Sequence, residues 1–134
     1  MTITLTAQDR TTMRIAAYGA VTLLSAAGAA GGSPHRIATR GSIALGTATG
    51  LVGHVLAKPA GHKDLNGRSV AEIADRVLPA LTATVTLLQT HAPAEAANFR
   101  DTVTTALESA TGDTQPTPAI AAMKNKITAA LDAA

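Results

Sequence analysis

Four glycines fall inside one stretch that otherwise reads as a helix: Gly41, Gly46, Gly50 and Gly53, within residues 33–57. A glycine in a helix interior costs roughly 1 kcal/mol against alanine, because its bare backbone loses the most freedom on ordering. Four of them make a helix that does not stand alone, so the sequence demands a neighbour pressed against the backbone. The start is marked by Ser33 and Pro34, a capping hydroxyl followed by the residue that loses no hydrogen bond at the first helical position. The end is marked by Pro59, which disfavours helical geometry at Lys58. Between them Ile43, Gly46, Gly50, Gly53, His54 and Ala57 recur every three or four residues and share a face. That small face predicts close approach by another helix.

The expected partner is the preceding stretch. Residues 15–30 carry no charge, and a helix apolar almost all round is either buried or in lipid. Ala16, Gly19, Ala20, Leu23, Leu24, Ala26 and Ala27 offer a small-and-leucine surface complementary to the glycines. The two stretches predict an antiparallel hairpin over residues 7–57, turned at Gly31, Gly32 and Ser33. Thr6 and Asp9 form a variant capping box that starts its first helix at Ala7, running to about residue 29. Thr11, Arg14, Tyr18, Thr22 and Ser25 form the polar stripe of that helix, which sets Tyr18 at a boundary. Residues 1–5 read as an extended lead-in.

Residues 58–68 follow as a polar loop, with Pro59, Gly61 and the Asn66-Gly67 pair as turn formers. Lys58, His62, Lys63, Asp64 and Arg68 are concentrated there, which makes the loop a candidate contact surface. Its glycines lack the spacing of a phosphate-binding loop.

Three amphipathic helices are expected over residues 69–134. Ser69 and Glu72 form a capping box, and Val70, Ile73, Val77, Leu81, Val85 (or Thr84) and Leu88 give one apolar face. Pro79 lies inside this run and removes a backbone donor, which predicts a kink over residues 75–78. Pro93 opens the next helix, carrying Ala96, Phe99, Val103, Ala106, Leu107 and Ala110 inward, with Gly112 placed to end it in left-handed geometry. Thr117 and Pro118 cap the last helix, whose inward residues are Ile120, Met123, Ile127 and Leu131. Short links imply antiparallel neighbours. The fold expected is all-α: one bundle of about five helices in a single domain.

The chain has 134 residues, enough to bury a core without covalent staples, and no cysteine, which excludes disulfides and thiolate chemistry. It has one tyrosine, one phenylalanine and no tryptophan, so the core must be aliphatic and no base-stacking platform for nucleic acid is available. The net charge of +2 is unevenly placed: residues 1–68 hold seven Lys/Arg against two Asp/Glu, and residues 69–134 hold four against seven. Halves of opposite sign attract each other or a second copy. Residues 15–30 and 43–57 both fall short of the ~20 apolar residues of a membrane span. Arg10 and Arg14, an apolar run and Ala27-Gly28-Ala29 imitate a secretory signal, against which stand Asp9 and the length of the leading region. The compartment expected is the cytoplasm, with export or membrane association through the apolar N-terminal segment as the alternative.

No metal or catalytic motif is assembled locally. His35, His54, His62 and His91 lie at no helical ligand spacing from one another, and no serine sits in a nucleophile elbow. The reading is therefore a non-catalytic association module without a cofactor, acting as a homo-oligomer or small adaptor. The alternative is a small-molecule-binding or sensing bundle with a cavity near His54 and Tyr18, where missing side chains leave room and Tyr18 or Ser25 partners the imidazole. Candidate polar contacts are His54, Tyr18, His62, Lys63 and Asp64. A weaker alternative is an enzyme whose histidines and carboxylates meet only in the fold.

Overall fold

The computed structural model of the chain describes residues 5–30, 34–61, 64, 65, 67, 69–112 and 117–134. These form six α-helices packed together: α1 (Ala7–Ala27), α2 (Pro34–Gly46), α3 (Gly50–Leu56), α4 (Val70–His91), α5 (Pro93–Thr111) and α6 (Pro118–Asp132). A 3₁₀ turn, Gly28–Ala30, extends α1. The expected turn at residues 31–33, the Ser33 cap, most of the extended lead-in (residues 1–4) and residues 113–116 lie outside the described residues.

Helix α1 is the centre of the molecule and lies against each of the other five helices. Its composition explains the position. Met13, Ala16, Ala17, Gly19, Ala20, Val21, Leu23 and Leu24 are all buried, and only small side chains let so many neighbours approach one helix. The capping box is present in full: Thr6 Oγ1 accepts from Asp9 N, and Asp9 Oδ2 accepts from Thr6 N, each at 3.0 Å. Leu5 is buried beside this start, and its carbonyl accepts from Arg10 Nη1 at 2.7 Å.

The antiparallel pairing of α1 with α2 is present, but the face that makes it differs from the one expected. Ile37 lies over Gly28, and Gly41 lies over Val21, so numbers rise along one helix as they fall along the other. The buried residues of α2 are Ile37, Gly41 and Leu45. The stripe of Ile43, Gly46 and Gly50 points outward: all three are exposed, and a Cβ on Gly46 would meet nothing within 4 Å. The close approach is made at Gly28 and Gly41 instead.

The single long glycine-rich helix is also divided. The chain leaves the helix after Gly46 and re-enters it at Gly50, whose φ of +71° suits a residue without a Cβ. Thr47 and Thr49 are β-branched, and the Thr47 hydroxyl donates to the Ala44 carbonyl at 2.7 Å, so the local chemistry favours a turn. This break makes six helices where about five were expected.

The remaining three helices follow the periodicity closely. In α4, Val77, Leu81, Thr84, Val85 and Leu88 are buried, and the Thr84 hydroxyl is satisfied by the Ala80 carbonyl at 2.8 Å. Val70, expected inward, is 43 % exposed. Helix α4 is not interrupted at Pro79, which is exposed. A single residue, Ala92 at φ −158°, joins α4 to α5, because Pro93 disfavours helical geometry before it. Gly112 ends α5 in right-handed geometry, φ −57°, and not in the left-handed form expected. In α6, Ile120, Met123, Ile127 and Leu131 are buried, as their spacing requires. Helix α6 lies mainly on α4 and α1 and only lightly on α5. It runs in the same direction as α4, sharing a groove with the start of α4 and accepting a 2.6 Å hydrogen bond from Thr82 Oγ1 at the Ala130 carbonyl. An Arg100–Asp132 ion pair ties α5 to the end of α6.

Candidate functional site

Four polar side chains that reach across the fold converge on α3, a helix too short to hold itself. At its start, Glu95 of α5 accepts from Leu51 N at 3.1 Å, and Asn98 Nδ2 donates to the Thr49 carbonyl at 2.9 Å. Thr49, the local capping position, makes no side-chain cap, so a carboxylate from α5 takes its place. At its end, Arg14 Nε donates to the Val55 carbonyl at 3.1 Å, and the Tyr18 hydroxyl donates to the Leu56 carbonyl at 2.6 Å. Glu95, Arg14 and Tyr18 thus serve backbone groups that a seven-residue helix leaves open, while Asn98 adds a second donor to the Thr49 carbonyl, which already accepts from Gly53 N at 3.0 Å. The Tyr18 phenol is pushed above its ordinary pKa by burial, with the Arg14 guanidinium drawing it partly back.

This arrangement reassigns the expected contacts around His54. The His54 side chain is exposed on α3, while Tyr18 is engaged by Leu56 and the Ser25 hydroxyl donates to the Pro34 carbonyl at 2.7 Å. Asp64 has a structural role: Oδ2 accepts from Gly61 N at 3.3 Å, and its carbonyl accepts from Arg76 Nη1 at 2.7 Å. His62 and Lys63 lie outside the described residues. Among the described residues, no three His, Asp or Glu side chains gather as a metal site would need. No helix is long and apolar enough to cross a membrane, among the same residues.

The open surface of greatest interest lies elsewhere, between the first turns of α4 and the middle of α6. Val70, Ala71, Ala74, Leu78 and Met123 line a groove of about 650 Å³, with Asp75 on the α4 lip and Lys126 on the α6 lip. The sequence explains why it stays open. Ala71 and Ala74 are short side chains that leave space between the helices, which are joined further along by the Thr82–Ala130 hydrogen bond. A smaller cleft of about 170 Å³ between α2 and α5 is lined by Ala44, Thr47, Ala48, Asp101, Thr102 and Thr105. Periodicity put both Val70 and Met123 on inward faces; Met123 is buried and Val70 is not. It could not reveal that α6 docks along α4 in the one register that leaves Val70 at an open edge.

Comparison with known proteins gives no match, whether to a family model, a curated protein or a solved structure.

Proposed function

We propose that the chain is a non-catalytic association module, that its partner is a second copy of itself, and that the groove between α4 and α6 is the contact. The observation that carries this reading is Val70, 43 % exposed at the edge of an apolar-lined groove. Apolar surface of this kind gains roughly 25 cal/mol for each Å² removed from water, and a contiguous patch is a common mark of an interaction face. The uneven charge of the two halves supports a second copy as the occupant, because each copy presents both signs.

A second reading is small-molecule binding. Its support is the groove volume, about 650 Å³, which lies in the range of ligand sites. In this form the ligand sits between α4 and α6, whereas the expected site was a cavity near His54 and Tyr18.

Static light scattering from micromolar to near-millimolar protein separates the two. Self-association predicts a mass that climbs with concentration in the wild type and stays at the monomer value in Val70→Arg. A strictly monomeric wild type overturns the proposal. If the thermal midpoint of that monomer then rises with one compound of a metabolite panel, and Val70→Arg abolishes the rise, the ligand reading replaces it.

A further inference from the structure

We infer that the surface which fills the α4–α6 groove is the outer face of α2 on a second copy, so that the interface is heterologous, groove to ridge. This rests on the self-association reading above and adds which two surfaces meet. Among the described residues, the large hydrophobic side chains left exposed are Ile43, at 63 %, and Val70, at 43 %. They lie on different elements and face different neighbours. Ile43 stands on the outer face of α2, opposite the buried Ile37, Gly41 and Leu45. Val70 stands at the groove. Each is left exposed by the described residues, and each is the kind of surface the other requires.

The chemistry flanking Ile43 matches the two lips. With 100° between successive helical residues, Arg36 and Arg40 fall on one side of Ile43, and Thr39, Ser42 and Gly46 fall on the other. Helix α2 contains no acidic residue. The α4 lip carries the exposed carboxylate Asp75, and the α6 lip carries Lys126. Docked with its basic flank toward α4, α2 sets Arg36 toward Asp75 and leaves Lys126 facing hydroxyls and bare backbone. The reverse orientation sets Arg36 toward Lys126. Charge thus selects one orientation of the helix in the groove. Gly46 contributes by absence: open space around its Cα lets the α6 wall come close to the α2 backbone.

A heterologous contact leaves one free groove and one free ridge on every assembled pair, so it continues into a ring or a filament and does not stop at a two-fold dimer. This gives a test that a groove-to-groove dimer cannot pass. Ile43→Glu retains the groove and loses the ridge, whereas Val70→Arg retains the ridge and loses the groove. Both positions are exposed, so neither substitution enters the core. Measured by sedimentation velocity, each variant alone is expected to remain monomeric while the wild type forms species larger than a dimer. An equimolar mixture of the two is expected to form one species at twice the monomer mass and nothing larger. As a second arm, Arg36→Glu and Asp75→Arg are each expected to weaken wild-type assembly several-fold, and the double variant to restore it.

Two outcomes overturn the inference. If Ile43→Glu self-associates like the wild type while Val70→Arg does not, the groove meets itself and only the association proposal survives. If the wild type is monomeric throughout, both readings fall.

Discussion

Gly41 and Gly46 lie on the same helix and meet opposite surroundings, which makes them a matched pair for testing how α2 is oriented. A Cβ on Gly41 would lie 2.7 and 2.9 Å from the two methyl groups of Val21, a short, stiff side chain packed in the core. The gain in helix propensity from alanine, roughly 1 kcal/mol, is then outweighed by overpacking of about 1–3 kcal/mol. Gly41→Ala is expected to lower the denaturant midpoint. Gly46→Ala meets open space and is expected to raise it, by up to about 1 kcal/mol of stability. If the two variants moved the midpoint the other way round, the outward placement of the glycine stripe would be wrong. Tyr18 tests a single long-range hydrogen bond. Tyr18→Phe removes the bond to the Leu56 carbonyl and is expected to cost about 0.5–1.5 kcal/mol near neutral pH. The folded-state pKa of Tyr18 is raised, so the folded chain holds this proton more tightly than the unfolded one. Its contribution is therefore complete below about pH 10, the ordinary value, and is lost as pH rises through the folded-state value. Urea titrations across that window should show a steeper loss of stability in the wild type than in Tyr18→Phe. The sequence indicated that Tyr18 sits at a boundary; it could not indicate that the acceptor is a backbone carbonyl thirty-eight positions away.

At the level of single helices, what could be read from sequence divides according to where the decisive contacts lie. The inward faces of α5 and α6, and most of that of α4, were legible because helical spacing alone fixes them. The capping box of α1 was legible for the same reason, since both partners lie within four residues. The break after Gly46 was not, because α3 depends on Glu95, Asn98, Arg14 and Tyr18 from distant elements. That dependence predicts a local effect. Glu95→Ala is expected to cost about 0.5–2 kcal/mol, the worth of a helix cap, with amide exchange accelerating in α3 more than in α4 or α6. Uniform acceleration through all helices would count against the clamp. Pro79 gives the converse case. It is exposed on an otherwise continuous helix, so Pro79→Ala restores the donor to the Asp75 carbonyl. A gain in stability of about 1–3 kcal/mol is expected, read as a higher thermal midpoint. A lower midpoint would mean that the packing of α4 depends on a proline-induced bend.

For the molecule as a whole, the governing feature is that α1 touches every other helix, which an alanine-rich helix permits and a leucine-rich one of the same length does not. The expectation of a small-residue hairpin at the core was right about the partners and wrong about which glycines mediate the contact. Periodicity defines a face without saying what that face will meet. The same gap hid the groove, which arises from the register of α6 along α4 and belongs to neither helix alone. The outward turn of Ile43 and the open edge at Val70 leave apolar surface uncovered at two separate places, in a chain whose halves carry opposite charge. The proposed self-association rests on those two facts together. Sedimentation equilibrium of the wild-type chain tests it most directly: the account predicts a weight-average mass that rises above 13.4 kDa as concentration increases, and falls back toward it in high salt. A mass fixed at 13.4 kDa throughout would contradict it.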